Sequence, residues 1–243
     1  MRIAICLRGR IMDEDKSSKD LQKCYNSIVS HIIQANPEFS FDFFCHGWNS
    51  KFVKDVLSIY QPKRYIFEDN NKYFSYIQSN IVNNCDKYAF AGISQALSLK
   101  KTIELKEEYE KEYNISYDYV IIYRYDVFLC KNIVISSLLD LDNTIYVNAH
   151  KNCDGDLHFI MTNGVSVEFK YLIDSIKLGN THKVHYWIKN YIVNYMKQNI
   201  KKDEIKPGMD QEVIRKINPN MKKLYNSYFY DKTYLFSSNP ILD

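Results

Sequence analysis

The stretch Tyr117-Asp118-Tyr119-Val120-Ile121-Ile122-Tyr123-Arg124-Tyr125-Asp126 decides the fold class. From Tyr119 to Ile122 it is apolar without a break. An uninterrupted apolar run of strand length reads as a strand buried on both faces, as strands are in a parallel sheet. The expected strand covers residues 118–122. Arg124 and Asp126 follow at once, so the strand runs out into a loop that carries charge.

Upstream, residues 92–113 read as the clearest helix, with Ala96, Leu99 and Ile103 on one stripe and Lys and Glu crowding the later turns. Further back the same alternation recurs. Residues 3–7 are a short apolar strand that ends in Arg8, Gly9 and Arg10. A buried strand leading into a glycine-containing loop is a common opening of nucleotide-binding α/β folds. Residues 19–33 read as a helix. Residues 41–45 form a second strand with His46, Gly47, Trp48 and Asn49 in its exit loop, and residues 52–60 form a helix that stops before Pro62. Residues 64–67 are a third strand, and 69–84 are polar and irregular or loosely helical.

Downstream, residues 144–148 and 157–162 read as strands, 165–178 and 185–200 as helices, and 210–217 as a last short helix. Strands alternating with helices predict an α/β sandwich with a mainly parallel sheet. Ligands of such sheets bind outside the carboxyl ends of the strands. That points to the loops after Leu7, Cys45 and Ile122.

The bulk numbers narrow the function classes. A chain of 243 residues that is 46% hydrophobic buries a large core and fits one domain. No linker or repeat divides it, so one domain over 1–243 is expected. A formal charge of +3 is too mild for a nucleic-acid-binding domain and suits a small anionic ligand. The six cysteines form no C-x-x-C pair, which argues against a zinc site and for buried thiols in a reducing cytoplasm. No apolar window reaches the length of a membrane span. The expectation is a soluble cytoplasmic protein. The segment 182–202 is basic and aromatic with no acid, which allows peripheral contact with the inner face of a membrane.

Four segments carry a resemblance to bacterial and viral polysaccharide glycosyltransferases of the GT-A type. Residues 117–126 resemble the segment in which that family has Asp-x-Asp. Ile3-Ala4-Ile5-Cys6-Leu7-Arg8-Gly9 resembles its opening strand and loop. Phe41-Asp42-Phe43-Phe44-Cys45-His46-Gly47-Trp48 resembles a segment at its second strand, and Ser94-Gln95-Ala96-Leu97-Ser98-Leu99-Lys100-Lys101 resembles the helix before its metal-site strand. The pieces stand in the family's order over residues 1–165, which the resemblance makes the donor-binding half, with 166–243 as a helical, acceptor-side half. One departure matters: the first acidic position is Arg124 here.

The resemblance implies a GT-A-like (nucleotide-diphospho-sugar transferase) α/β/α sandwich that moves a sugar from a nucleotide-sugar, with UDP as the default base, to an oligosaccharide or lipid-linked acceptor of a capsule or lipo-oligosaccharide. Cleaving the sugar–phosphate bond leaves a nucleoside diphosphate with growing negative charge, which a cation must neutralise. Asp126 is the expected ligand for Mn²⁺ or Mg²⁺. Arg124, Arg8 and Arg10 supply fixed positive charge, and arginine suits bidentate phosphate contact. Gly9 shapes the loop, while His46, Trp48, Gln95 and Ser98 are further donor-side candidates. Asp156, and after it Asp154, are candidates for the general base on the acceptor hydroxyl. Asp154-Gly155 also reads as a turn between two strands. Asp210, beside Gln211, is a candidate contact to donor sugar or metal and equally a helix cap.

Two other readings compete. A sugar nucleotidylyltransferase begins with a longer glycine-rich loop than the single Gly9. A non-catalytic glycan-binding or assembly subunit on the same scaffold draws support from Arg124. No G-x-x-x-x-G-K occurs, which disfavours a P-loop enzyme.

Overall fold

In the computed structural model of the chain, the described residues are 1–79, 87–129, 132–137, 146–150 and 153–170. They form an α/β fold. Strand β1 (Arg2–Arg8) leads to helix α1 (Ser18–Ile28), β2 (Ser40–Trp48), α2 (Val53–Tyr60), β3 (Arg64–Glu68), α3 (Phe74–Ser79), α4 (Lys87–Tyr113) and β4 (Tyr119–Arg124). The hairpin β5 (Tyr146–His150) and β6 (Cys153–Thr162) and the helix α5 (Asn163–Phe169) follow.

The six strands lie in the order β3-β2-β1-β4-β6-β5. The four strands β3, β2, β1 and β4 are mutually parallel, while β6 is antiparallel to β4 and to β5. The expected mainly parallel sheet is therefore present and carries an antiparallel hairpin at one side.

The alternation of each central strand sorts its side chains into two cores. Ile3, Ile5, Leu7, Ile121 and Tyr123 face one side and meet Leu21, Cys24 and Ile28 of α1 and Val56 and Tyr60 of α2. Ala4, Cys6, Val120 and Ile122 face the other side and meet Leu99 and Ile103 of α4 and Val165 of α5. Val120, Ile121 and Ile122 are all fully buried, as the unbroken apolar run requires. Each such side chain contributes roughly 1.5–3 kcal/mol by leaving water. Cys6, Cys24 and Cys45 are free and buried, and burial pushes the Cys6 and Cys24 thiols up to about 12.

Local signals set most element ends. Ser17 and Asp20 cap α1, with the Asp20 carboxylate accepting from the Ser17 backbone N–H at 3.0 Å. The expected single helix over 19–33 instead ends in a π-turn at Val29–Ile33, so the last turn is wider than an α-helix. Asn36, fully buried, stitches that turn to the segment after β4: its Nδ2 donates to the Ile32 and Ile133 carbonyls and its Oδ1 accepts from Ile135 N–H, all at 2.6 Å. Helix α2 ends on Gln61, whose φ of 45° stops it before Pro62. Helix α4 starts five residues earlier than expected, and Asn114 at φ 50° follows its end.

Two expectations are corrected outright. His46, Gly47 and Trp48 do not form an exit loop, because pairing with β3 carries β2 on through Trp48. Asp154-Gly155 is not a turn, because β6 runs from Cys153 and contains both residues. The expected helices at 185–200 and 210–217, the outer part of that at 165–178, and most of the proposed acceptor half lie outside the described residues. No described helix is long and apolar enough to cross a membrane.

Candidate functional site

The chain changes direction at β1. From β1 it winds through α1, β2 and α2 to β3 with those helices on one face. Helix α4, on the other face, then carries it back to β4 on the opposite side of β1. The strand order therefore reverses at β1, and the carboxyl ends of β1 and β4 lie side by side there, the position at which open α/β sheets bind their ligands.

Arg8 and Arg124 are direct register partners at that point. Neighbouring strands are about 4.8 Å apart, so the two side chains start close together and on the same face. Arg8 is buried at 1% exposure, with its guanidinium 5.8 Å from the centre of the Phe159 ring. Arg124 is partly exposed and grips Asp126: Nε donates to Oδ1 at 2.8 Å and Nη2 to Oδ2 at 2.6 Å. Both carboxylate oxygens of Asp126 are thus engaged. Arg10 points away into solvent and pairs with Asp13 at 2.7 Å.

Gly9 follows β1 with φ 88°, a conformation that disfavours any residue with a Cβ. Both its backbone groups are used internally. Its N–H donates to Ser98 Oγ at 2.7 Å, and its carbonyl accepts from Trp48 N–H at 3.2 Å. Gly47 permits this approach, since a Cβ there would lie 3.3 Å from the Gly9 oxygen and 3.0 Å from the Phe67 ring. The Tyr125 hydroxyl donates to the His46 carbonyl at 3.2 Å, so the exits of β1, β2 and β4 are tied together.

Beneath them runs a buried polar chain. Ser98 Oγ meets His46 Nδ1 at 2.7 Å, and His46 Nε2 meets Glu68 Oε1 at 3.0 Å. Glu68 also accepts from Lys101 Nζ at 2.8 Å and from the Tyr73 hydroxyl at 2.7 Å. Burial pushes His46 down to about 4, with the Glu68 hydrogen bond pulling the other way, so the imidazole is neutral at pH 7. Burial alone would raise Glu68, but the hydrogen bonds from Lys101, His46 and Tyr73 outweigh it and bring the carboxyl down to about 2. These states fix every proton. Gly9 N–H donates to Ser98, Ser98 O–H donates to Nδ1, and Nε2–H donates to the Glu68 carboxylate.

Serine, histidine and glutamate in a row are also the members of a hydrolytic triad, but this chain lacks the geometry of one. Ser98 and His46 are fully buried, and the serine oxygen faces the Gly9 N–H rather than a cleft. The chain acts as a brace under the Gly9 loop. Trp48 packs edge-on against His46 at 5.1 Å and tilts over Tyr73 at 5.9 Å, closing the brace from outside.

The sequence-predicted residues thus divide by position. Arg8, Gly9, Arg124 and Asp126 gather at the switch point. His46 and Ser98 act on Gly9 from below, Gln95 is partly buried one turn away on α4, and Arg10 leaves the cluster. The backbone places Asp156 and Asp154 in the part of β6 that runs past the end of β4, because His158 pairs with Tyr123 and the chain enters from that side. Asp210 lies outside the described residues.

Sequence reasoning missed Glu68, Tyr73 and Lys101. A signal was there: Ser94, Ser98, Lys101 and Thr102 recur at helical spacing along an otherwise core-facing stripe of α4.

Among the described residues no group of three His, Cys, Asp or Glu could hold a metal. Asp126 is a lone carboxylate already neutralised by Arg124, and a cation there would have to displace a guanidinium. The donor set therefore fits an anion better than a metal ion. No protein-family model matches the chain, and no curated protein matches it. The class that the fold itself defines is an α/β protein with a mixed, mostly parallel sheet.

Proposed function

We propose that the chain is a glycosyltransferase of GT-A-like architecture, which binds a nucleotide-sugar in the crevice between the carboxyl ends of β1 and β4. The observation that carries this reading is the Arg8–Arg124 register pair at the switch point. Two guanidinium groups at that position suit a diphosphate, whose negative charge grows as the sugar leaves. A buried cation such as Arg8 is less screened than a surface one, which strengthens its pull on the leaving group. Asp126 holds the Arg124 fork in place, and no step is assigned to a metal.

The acceptor is a surface-polysaccharide oligosaccharide, free or lipid-linked. Asp156, then Asp154, are the general-base candidates, on the ground that β6 brings them past the end of β4. The second reading, a non-catalytic glycan-binding or assembly subunit, draws on the closed Arg124–Asp126 pair.

Thermal melts against UDP, GDP, CDP and UMP, with and without Mn²⁺, test the donor site. A ligand at ~100 times its dissociation constant adds about 2.7 kcal/mol, a shift of roughly 5–10 °C for a chain of this size. One diphosphate is expected to raise the melt, with or without metal. If none does, the nucleotide-sugar reading fails. If a diphosphate binds but no nucleoside diphosphate is released from the matching nucleotide-sugar with an acceptor present, the non-catalytic reading replaces it.

A further inference from the structure

Helix α4 runs antiparallel to β1 and meets it turn by turn. Thr102 Oγ1 donates to the Leu7 carbonyl at 3.2 Å. One turn earlier, Ser98 Oγ accepts from the Gly9 N–H at 2.7 Å. Each helical turn advances about 5.4 Å, so the turn before that, with Ser94 and Gln95, stands beyond the carboxyl end of β1. Ser94 is engaged there, donating to Asn70 Oδ1 at 3.2 Å. Gln95 differs: its Oε1 is shut off from water and accepts from no donor.

The two arginines start on the same side of the sheet. Arg8 continues the alternation of Ala4 and Cys6 along β1, and Arg124 that of Val120 and Ile122 along β4, which is the face that α4 covers. Phe159, against which Arg8 lies, belongs to that core as well. Gln95 thus stands on the helix that covers the arginines' face, past the strand end from which Arg8 projects. A Cβ added at Gly9 meets no described atom within 4 Å, so this strand end borders open space.

A carbonyl kept from water without a partner is costly, and in a native fold it calls for a reason. Gln95 Oε1 can only accept, so its partner must bring an O–H or N–H. The diphosphate of a nucleotide-sugar is ionised at neutral pH and only accepts. The groups that flank it, ribose on one side and the transferred sugar on the other, both carry hydroxyls.

We propose that Gln95 is a specificity-determining residue of the donor site, whose amide carbonyl accepts from a hydroxyl flanking the diphosphate. The proposal rests on the nucleotide-sugar reading and divides the labour within it. Arg8 and Arg124 take the charge, and Gln95 selects a diphosphate that carries a glycosyl or ribosyl group.

Calorimetric titration of the full-length chain tests this with inorganic pyrophosphate, with UDP, GDP and CDP, and with the glucose conjugate of each. The wild type is compared with Gln95→Met, which keeps the side-chain length and removes the acceptor. Gln95→Met is expected to bind pyrophosphate as the wild type does and the nucleotide-sugar about 10-fold more weakly, the effect of one hydrogen bond. A loss already present with the nucleoside diphosphate assigns the hydroxyl to ribose, and a loss seen only with the conjugate assigns it to the transferred sugar. Unchanged nucleotide-sugar binding, or an equal loss with pyrophosphate, overturns the proposal and leaves the nucleotide-sugar reading standing. A wild type that binds none of the nucleotides overturns both. The melting temperature without ligand separates a binding role from a packing role. Gln95→Met is expected to melt no lower than the wild type, because it removes an unpartnered buried carbonyl. A melt lower by several degrees would make the amide part of the packing and overturn the proposal.

Discussion

Arg124 holds Asp126 by both carboxylate oxygens, through contacts of 2.8 and 2.6 Å across a single intervening residue. The acidic residue that sequence reasoning assigned to a metal is thus the anchor of a cation. If the cation is what meets the donor, Arg124→Ala is expected to weaken nucleoside diphosphate binding about 100-fold and Asp126→Ala about 10-fold. Both losses should be equal with and without Mn²⁺, as read by calorimetric titration. A loss in Asp126→Ala that appears only with Mn²⁺ would restore the metal assignment.

Ser98 serves two neighbours, accepting from the Gly9 N–H and donating to His46. Ser98→Ala strands both inside the protein. Urea unfolding should show a loss of about 2–3 kcal/mol, the cost of buried polar groups left without partners. A loss below ~0.5 kcal/mol would mean that the brace does not hold the loop.

His46 makes stability depend on pH in a stated direction. In the unfolded chain it takes up a proton near 6.5, and in the folded chain only near 4. Between those values the unfolded state binds more protons, so stability falls as pH falls through that window, by up to about 3 kcal/mol. Glu68, held down at about 2, adds a further loss below about 4.5. His46→Gln should flatten the profile between pH 6.5 and 4.5 in urea melts, and an unchanged slope would remove His46 as its source.

At Gly9 a methyl group meets nothing within 4 Å, yet φ is 88°. Gly9→Ala therefore tests conformation free of crowding. The expected cost is roughly 1–2 kcal/mol, seen as a lower melting temperature together with weaker nucleotide binding. A neutral effect on both would show that the loop relaxes without penalty.

The β–α alternation up to β4 was legible because each parallel strand is an apolar run closed by polar or glycine punctuation. The residues 119–122 show this best, since burial on both faces leaves no place for a polar side chain. The extent of β6 was not legible: Asp154, Gly155 and Asp156 are poor strand formers, and pairing with β5 overrides their local preference. The π-turn after Ile28 is equally invisible, because Asn36 selects it by bonding to residues almost 100 positions away. At the site, Arg8 and Arg124 could be named from the strand ends, but not their register. The roles of His46 and Ser98 turned on Glu68 and Lys101, which only the fold brings beneath Gly9.

The central place of β1 also has a consequence in time. Its neighbour β2 follows within some 30 residues, but its other neighbour, β4, begins only at Tyr119. At ~5–20 residues per second, a ribosome takes roughly 6 to 22 s to travel from Arg8 to Tyr119. Throughout that interval one side of Ile3, Ile5 and Leu7 has no strand to pair with. The nascent chain thus carries a half-finished sheet for seconds, with the β4 side of β1 open to any other strand until residues 119–124 are made.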